Sequence, residues 1–591
     1  MKKFILFIFT LIIGFAVFCG LKIKADGIVI TMEEGAQIRA EGTFQGLRFV
    51  GSINTLGGTS EHGFYLALGS WTQSEMETAI MAGSTTIGVD ANERKLVPKT
   101  APGPSLDFAV TIYGMDELSE YEALISAIAY AKAGDDYYFG DVQTRNIADV
   151  ARAAYNDGRE EELVVAVAEA TRVKVTHSDS SVEYFADTNE VALADGDTLD
   201  LTRGTYSNAL TISNSNITIN GVYKEVKLTD EGDRDTTDPN YVAYAGETVF
   251  ENQIQLMKGD SDISNIVLNG LKISITDTIV PVYFNSTGIS NVTIKYNNIT
   301  FASQNGISTA TSGMTSWEIS DVIIDNNFIN ADRKENTSGA RSIYFNCPIK
   351  DFSITNNTIQ DSYDVEATEL KSSNHAIRLT RIVDNATILI KNNKLYQPYS
   401  DYLILIGEQM EEASYTSTIT IENNKLAKND TTINLGNIIG IFCLKSGSTV
   451  NIIHNYGGMF SPYFNVLAIS ATTKGKAFGT TTTENVTVNI KFNSFVVERA
   501  DAWVTPPRSL DNPLAGDNVQ ARYGLLIAQT SVVTFYKNYY TGYNSFAFSS
   551  NTSKVAGQGY YSKGDGAKTM ASNKASSSSE ADTAYEAYLA G

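Results

Sequence analysis

The chain has 591 residues and a formal net charge of −22, since 67 aspartate and glutamate residues outnumber 45 lysine and arginine residues. Such an acidic chain repels nucleic acid and anionic membrane surfaces, and no basic stripe interrupts it, so we predict no nucleic-acid partner. Its four histidines, His62, His177, His375 and His454, do not form the clusters that a multi-histidine zinc site or a serine–histidine–aspartate triad would need. We expect His375 and His454, which lie in strand-like runs, to be structural.

Residues 1–25 are predicted to be an export signal peptide. Two lysines precede an apolar run that extends to Leu21, and the small residue Ala25 provides a cleavage site. The mature protein would then be secreted or displayed at the cell surface, with no membrane span left after cleavage. The apolar run is also long enough to serve as an uncleaved anchor, so that alternative stays open.

Only two cysteines remain after cleavage, Cys347 and Cys443. Both lie in or beside apolar runs that we place three repeats apart. Stacked strands rise about 4.8 Å per repeat, so the two residues would be roughly 14 Å apart, too far for a disulfide. The sequence therefore predicts two buried thiols.

Residues 26–175 are predicted to form a separate α+β domain, whose role the sequence does not indicate. Strands are predicted at 46–53, 63–69 and 108–115, where apolar and β-branched residues dominate. Helices are predicted at 118–134, 145–157 and 159–170, because their apolar residues recur every three or four positions.

Residues 176–550 are organised by a short phrase that returns many times. It reads ISNVTIKYNNITF at 289–301, ISDVIIDNNFIN at 319–330, TILIKNNKL at 387–395 and TITIENNKL at 418–426. Apolar residues alternate within each copy, which predicts a strand. A corner asparagine then follows, at 298, 327, 357, 393, 424 and 455. The spacing of 29 to 36 residues indicates a repeat architecture in which neighbouring units bury a shared core.

A second apolar run lies between successive copies, for example RSIYFN at 341–346, HAIRLT at 375–380 and YLILIG at 402–407. Each repeat therefore holds at least two strands, and three are expected. The corner asparagines are predicted to be structural. Asparagine tolerates the left-handed backbone of a tight corner, and its amide can bond from one corner to the next along a stack.

This pattern resembles the right-handed parallel β-helix of the pectate-lyase-like superfamily. The phrase ALADGDTLDLTRGTYSNALTISNSNITING at 192–221 is similar to the entry coil of such proteins and indicates that the helix starts near Val182. The predicted fold class is mainly β, with a right-handed parallel β-helix of about ten coils after the smaller α+β domain. Residues 230–240 are predicted to be a polar loop, and 551–591 a C-terminal tail that ends in a short helix.

Long segments interrupt the repeat at 302–317, 331–339, 361–374, 472–484 and 498–522. In stacked-repeat proteins such insertions cluster on one flank and usually form the working surface. The motifs of polygalacturonase-type β-helix glycosidases and of pectate lyases are absent from the repeat.

One of these segments, DVEATELKSSN at 364–374, resembles the active-site phrase of the β-helix lyase family that includes chondroitinase B and alginate lyases. The resemblance implies that Asp364 and Glu366 hold Ca²⁺. It further implies that Lys371 is the general base, with Arg378 as the acid or charge stabiliser. The Arg-His-Gly that follows in that family is absent here. The alternative interpretation is a solvated acidic loop.

Two functions remain open. The first is an exported carbohydrate-interacting protein that acts as a Ca²⁺-dependent lyase on uronic-acid polysaccharide by β-elimination. The second is a non-catalytic surface adhesin or glycan-binding structural protein that uses the long loops and exposed tyrosines. Both predict a polysaccharide or surface glycan as partner, and fold alone does not decide whether the chain is catalytic.

Overall fold

The computed structural model describes residues 27–243, 246–309, 316–332, 340–361, 375–396, 402–408, 415–427, 437–460, 467–469, 484–498, 525–527, 532–541, 547–548, 561–562 and 575–590. The predicted signal peptide at 1–25 lies outside these residues. The chain divides into two compact units, Met1–Thr171 and Arg172–Gly591. Across the described ranges, no helix is both long and apolar enough to cross a membrane.

The described part of the first unit contains two antiparallel sheets and four α-helices. The four-stranded sheet comprises Ile30–Met32, Gln37–Arg39, Gly46–Ile53 and Asp107–Tyr113. The six-stranded sheet comprises Glu61–Leu68, Thr86–Ile87, Arg94–Thr100, Ile125–Ala133, Asp136–Phe139 and Gln143–Arg145. The helices are Gln73–Met81, Leu118–Tyr121, Ile147–Asn156 and Glu162–Ala170, with a 3₁₀ turn at Asp90–Asn92. The three predicted strands and the helices predicted at 145–157 and 159–170 are confirmed, with shifted ends.

The helix predicted at 118–134 is wrong. Only Leu118–Tyr121 is helical, and Ile125–Ala133 is a strand that pairs with Glu61–Leu68. Every residue from Ile125 to Ala131 is buried, so both faces of this strand are covered. A run that is apolar on both faces lacks the alternation of a half-buried strand, and its alanines then mimic helical spacing.

The second unit consists mainly of large parallel sheets. We call the strands that carry the repeated phrase row A, the strands after each corner row B, and the second apolar runs row C. Three consecutive strands, one from each row, make a rung.

Row A comprises Thr198–Leu201, Thr218–Asn220, Ile263–Asn269, Ile289–Lys295, Ile319–Asp325, Ala386–Lys391, Ser417–Glu422, Thr449–Ile453, Thr487–Lys491 and Val532–Tyr536. Row B comprises Gly204–Tyr206, Thr248–Phe250, Lys272–Ile275, Asn298–Phe301, Phe328–Ala331, Thr358–Asp361, Lys394–Tyr396, Lys425–Ala427, Tyr456–Phe460, Ser494–Glu498 and Tyr539–Thr541. Row C comprises Leu210–Ile212, Ile254–Leu256, Val282–Phe284, Asn305–Thr309, His375–Ile382, Tyr402–Ile406, Asn437–Ile441, Leu467–Ile469 and Leu525–Ile527. The long strand Arg341–Thr355 serves row C with its first residues and row A with its last.

Parallel pairing begins at Thr198–Leu201, which pairs with Thr218–Asn220. The strand at the predicted start, Val182–Phe185, instead pairs antiparallel with Val173–Thr176. Beyond the three rows the structure describes a short parallel pair, Ala547–Phe548 with Tyr561–Ser562, a 3₁₀ turn at Thr188–Glu190, and the terminal helix Ser578–Leu589. That helix confirms the one predicted in the tail.

Identical side chains stack from rung to rung inside the unit. Ile294 pairs with Ile324, Ile324 with Ile354, and Ile354 with Ile390, and all four are fully buried. They belong to one continuous hydrophobic core. Burying one such side chain contributes about 1.5–3 kcal/mol, so the repeated alternation is the main source of stability in this unit.

The corners between rows A and B hold a continuous asparagine ladder. Each ladder asparagine donates from its backbone nitrogen and from Nδ2 to Oδ1 of the next, as Asn327 does to Asn357 at 2.9 and 3.0 Å. The ladder runs through Asn297, Asn327, Asn357, Asn393, Asn424, Asn455, Asn493 and Asn538. The structural role predicted for these residues is confirmed, but the first member is Asn297 rather than Asn298.

The left-handed corner residue is the one before each ladder asparagine. Asn326 has a φ of 53° and Asn356 a φ of 56°. The sequence attributed both the left-handed backbone and the amide bond between corners to one asparagine. In the structure they belong to two adjacent residues.

Cys347 and Cys443 are both fully buried and are not in a disulfide, as predicted. Their burial in the core raises the pKa of the Cys347 thiol to about 12. A thiol this far from ionisation is a poor nucleophile, so we assign Cys347 a packing role.

The polar loop predicted at 230–240 packs against row B. Arg234 is buried, and its Nη1 donates to the carbonyl of Tyr296 at 2.7 Å. Gly232 has a φ of 90°, and a Cβ there would lie 2.5 Å from the ring of Phe328. The loop therefore covers an outward phenylalanine at a distance that only glycine allows.

Candidate functional site

Of the four predicted site residues, the structure describes one. Asp364, Glu366 and Lys371 lie outside the described residues, so the calcium site and the base remain predictions. Arg378 lies in the row C strand His375–Ile382. Within the described ranges, no group of three or more histidine, cysteine, aspartate or glutamate side chains could hold a metal ion.

Arg378 belongs to a column of residues on the outward face of row C. Alternation places the neighbouring isoleucines, such as Ile343 and Ile377, in the core, so the intervening residues face outward. Register pairs Tyr283 with Ser308, Ser308 with Tyr344, and Tyr344 with Arg378. We call these four residues the Tyr344 column.

Two arginines flank the ring of Tyr344. The guanidinium carbon of Arg341 lies 4.7 Å from the ring centroid, and that of Arg378 lies 5.2 Å from it. Both distances are within the range of a cation–π contact. Burial raises the pKa of the Tyr344 hydroxyl, and the two arginines oppose that rise. Tyr344 is therefore protonated near neutral pH and can donate a hydrogen bond.

Arg378 is held by an ion pair. Its Nη2 lies 2.6 Å from Oε2 of Glu408, and both side chains are largely buried. The pair fixes the guanidinium beside Tyr344 and leaves less of its charge for a ligand.

Positively charged side chains nevertheless predominate around Tyr344 among the described residues. Arg378, Arg341 and Arg381 act electrostatically on its hydroxyl together with one described acid, Glu408. The chain as a whole has a net charge of −22. A positive site in an acidic protein favours an anionic or strongly polar ligand.

Two buried hydroxyls in this region have no hydrogen-bond partner. Ser308 and Ser342 are fully buried, and neither Oγ bonds to any group in the described part of the chain. Nε of Arg378 is also buried and bonds to no group in the described part of the chain. Buried polar atoms are almost always paired in native proteins, so three unpaired ones on one face mark a place that a polar ligand or water would complete.

His375 has a structural role, as predicted. It is 1% exposed, and its Nδ1 lies 2.9 Å from the carbonyl oxygen of Tyr402 in the next rung. This contact ties two row C strands together at the point where the chain enters the row.

The long segments noted in the sequence all adjoin row C. The segment noted at 302–317 contains the row C strand Asn305–Thr309, so only its remainder interrupts the repeat. In chain order, the segments at 331–339, 361–374 and 498–522 come before row C strands, and the segment at 472–484 comes after one. The Tyr344 column therefore lies on the strands beside which the chain departs most from its repeat, which is where repeat proteins usually place their function.

Sequence reasoning missed Ser308, Arg341, Ser342, Tyr344 and Glu408. A signal was present, because aligning the second apolar runs by their isoleucines, Ile307, Ile343 and Ile377, places the column in register. The segments between these runs differ in length, and that conceals the alignment.

No protein-family model matches this chain, and a comparison with curated proteins finds no match.

Proposed function

We propose that the chain is an exported carbohydrate-interacting protein whose second unit is a right-handed parallel β-helix, and that it binds glycan along the outward face of row C. The observation that carries the proposal is the Tyr344 column together with Arg341, because the guanidinium groups of Arg341 and Arg378 both lie against the Tyr344 ring. Tyrosine and arginine offer flat surfaces and hydrogen-bond donors together, which suits the alternating apolar and hydroxyl faces of sugars.

The β-helix is supported by the pairing of successive strands. Each row pairs in parallel with itself one rung later, in the order A, B, C along the chain. Crossover connections between parallel strands are right-handed in about 98% of cases. The asparagine ladder supports the same winding, because it requires one corner per rung at a constant position.

Binding is tested with a half-buried member of the Tyr344 column. Tyr283 lies two rungs before Tyr344 and faces outward. We expect Tyr283→Ala to weaken binding to its best polysaccharide about tenfold, from the loss of one aromatic contact. Affinity electrophoresis in gels that contain alginate, pectate, chondroitin sulfate or a neutral glucan measures this.

The matched control is Tyr396→Ala, which removes another half-buried tyrosine of the same unit, from row B. We expect its binding to equal that of the unchanged protein. Equal loss in both variants, or no retardation of the unchanged protein in any gel, would contradict a binding face on row C.

A second candidate, a Ca²⁺-dependent lyase, is favoured by the position of Arg378 beside a protonated tyrosine. A lyase of this class removes the C5 proton of a uronic acid, and bound Ca²⁺ would neutralise the adjacent carboxylate. In this proposal Asp364 and Glu366 are the ligands and Lys371 is the base. Arg378 is the acid or charge stabiliser.

The lyase is tested by the ultraviolet absorbance of the unsaturated ends that β-elimination produces. We expect a rise with Ca²⁺ on at least one uronic-acid polymer, which chelator and Lys371→Ala both abolish. Lys350→Ala, which changes a lysine of row A, should leave the rate unchanged. A flat trace on alginate, pectate and chondroitin sulfate would eliminate the lyase and leave the binding proposal intact.

A further inference from the structure

We infer that Ser308, Ser342, Tyr344 and Arg378 form a subsite for the oxyanion of an acidic sugar, either a carboxylate or a sulfate ester. The inference rests on the proposed function, because it assigns the class of glycan that row C binds. It holds equally for a catalytic protein and for a non-catalytic binder.

The unpaired hydroxyls of Ser308 and Ser342 indicate a binding subsite. Ser308 is the register neighbour of Tyr344 one rung earlier, and Ser342 lies two residues before Tyr344 on the same strand face. Both side chains are fully buried without a partner in the described part of the chain. A fold that needed only packing at these positions would be at least as stable with alanine, since an unpaired buried hydroxyl is unfavourable.

The chemistry of the unpaired groups indicates the kind of ligand. A hydroxyl can donate or accept, but Nε of Arg378 can only donate. This atom is buried and unpaired one rung after Ser342 and two rungs after Ser308. Protonated Tyr344 adds a fourth donor on this face. Apart from Glu408, whose carboxylate is paired with Nη2 of Arg378, these groups can all donate. A set of donors fits an oxyanion, whose terminal oxygens accept several hydrogen bonds at once.

The guanidinium groups around Tyr344 favour the same kind of ligand. Arg378, Arg341 and Arg381 each act on the Tyr344 hydroxyl as positive charges, and Glu408 is paired with Arg378. A carboxylate or sulfate would be attracted to these groups as a charge, whereas a neutral sugar would not. Burial strengthens the effect, because charges interact more strongly away from water.

The test compares polymers that differ in their acidic groups. The full-length protein is titrated with chondroitin sulfate, with desulfated chondroitin, which keeps the carboxylate, and with carboxyl-reduced chondroitin sulfate, which keeps the sulfate ester. A neutral glucan serves as the reference polymer. The arm that binds best identifies which oxyanion the subsite takes.

We expect Ser308→Ala and Ser342→Ala each to weaken binding to the best acidic polymer about tenfold, through loss of a hydrogen bond to a charged group. Binding to the neutral glucan should not change, and neither variant should lower the midpoint of thermal unfolding. The matched control is Ser417→Ala, which removes another buried, unpaired hydroxyl of the second unit, from row A. It should leave all binding unchanged.

The outcomes separate the two proposals. If an acidic polymer binds and both serine variants behave like Ser417→Ala, the subsite is wrong and the binding function stands. If no polymer binds, the proposed function fails, and sodium sulfate is compared with sodium acetate in thermal unfolding at matched ionic strength. Stabilisation that the double variant Ser308→Ala/Ser342→Ala loses would retain the oxyanion site. Equal responses in the unchanged protein and the double variant would overturn it.

Discussion

At each corner of the asparagine ladder, two adjacent residues have different roles. The first adopts the left-handed backbone, where asparagine is tolerated and glycine is favoured. The second places its amide in the buried ladder, where both ends of the amide are used. Asn357, for example, donates to the carbonyl of Ile324 at 2.8 Å and accepts from Asn327.

Substitutions at this pair should therefore have very different effects. Asn357→Ala removes an amide that bonds to Asn327, Ile324 and Asn393, and it leaves the buried backbone nitrogen of Asn327 without its acceptor. We therefore expect a loss of about 3 kcal/mol or more in the free energy of unfolding. Asn356→Gly should change it by less than about 1 kcal/mol, since glycine favours the left-handed region. Urea denaturation followed by circular dichroism measures both. Equal losses would show that the ladder adds nothing beyond backbone geometry.

His177 provides a pH dependence outside the candidate site. Its Nδ1 lies 2.8 Å from Oδ1 of Asp197, and that hydrogen bond raises the pKa of His177 above its usual 6.5, with Glu183 acting in the same direction. The protonated form is therefore favoured in the folded state. Protonated His177 stabilises the folded state fully below about pH 6.5, the usual pKa of histidine. This stabilisation is lost as the pH rises through the higher pKa that His177 has in the folded state.

We expect His177→Gln to lower the urea midpoint at about pH 5.5 and to have a smaller effect at about pH 9. The ring proton of His177, followed by nuclear magnetic resonance, should titrate above the usual histidine range and return towards it in Asp197→Asn. If His177→Gln lowered the urea midpoint more at high pH than at low pH, this would contradict a raised pKa of His177 in the folded state.

At the scale of elements, the terminal helix Ser578–Leu589 explains why the last corners depart from asparagine. The left-handed positions there are His454, Phe492 and Lys537, and each contacts the helix. The ring of Tyr585 stacks on His454 with 3.8 Å between centroids. Lys537 Nζ pairs with Glu580 at 2.6 Å. The residues that replace asparagine at these corners therefore determine where the terminal helix packs.

Tyr585→Ala should release this helix from the stack. It removes a buried ring and a hydrogen bond of 2.6 Å to Glu422, so we expect backbone amides of Ser578–Leu589 to exchange with solvent at least tenfold faster. Hydrogen–deuterium exchange with mass spectrometry measures this, and Leu589→Ala, at an exposed position, is the control. Unchanged exchange in Tyr585→Ala would mean that other contacts hold the helix.

Whether a strand could be predicted from the sequence depended on how many of its faces are buried. Row A strands have one core face and one polar face, so alternation revealed them. Ile125–Ala133 is buried on both faces and was mistaken for helix. The helix Gln73–Met81 was missed, although Thr72 and Glu75 form a capping box that the sequence shows as Thr-x-x-Glu.

At the scale of the whole molecule, the two units should unfold separately. Each has its own hydrophobic core, and the division falls between Thr171 and Arg172. We expect two transitions in differential scanning calorimetry, and the fragment 172–591 should keep one of them at an unchanged temperature. A single transition for the full chain, together with an unfolded fragment, would show that the units depend on each other.

The candidate site was predictable only in part, and the reason also concerns the whole molecule. Arg378 was selected from a local resemblance and its role stays a prediction, but Tyr344 and Ser308 precede it by one and two rungs. Their proximity arises from register across segments of unequal length. A local phrase cannot reveal such a site, whereas an alignment of complete rungs can.

The direction of the asparagine ladder has a consequence for how the protein is made. Each ladder asparagine from Asn297 to Asn493 donates to the rung that follows it in the chain, and Asn538 accepts the last of these bonds. During synthesis, which proceeds from the amino terminus, the newest complete rung thus holds two donors whose acceptor has not yet emerged. That leading edge also presents three open strands, which can pair with another chain. Chains that stop before the last rung would therefore be prone to aggregate, however stable the rungs already formed.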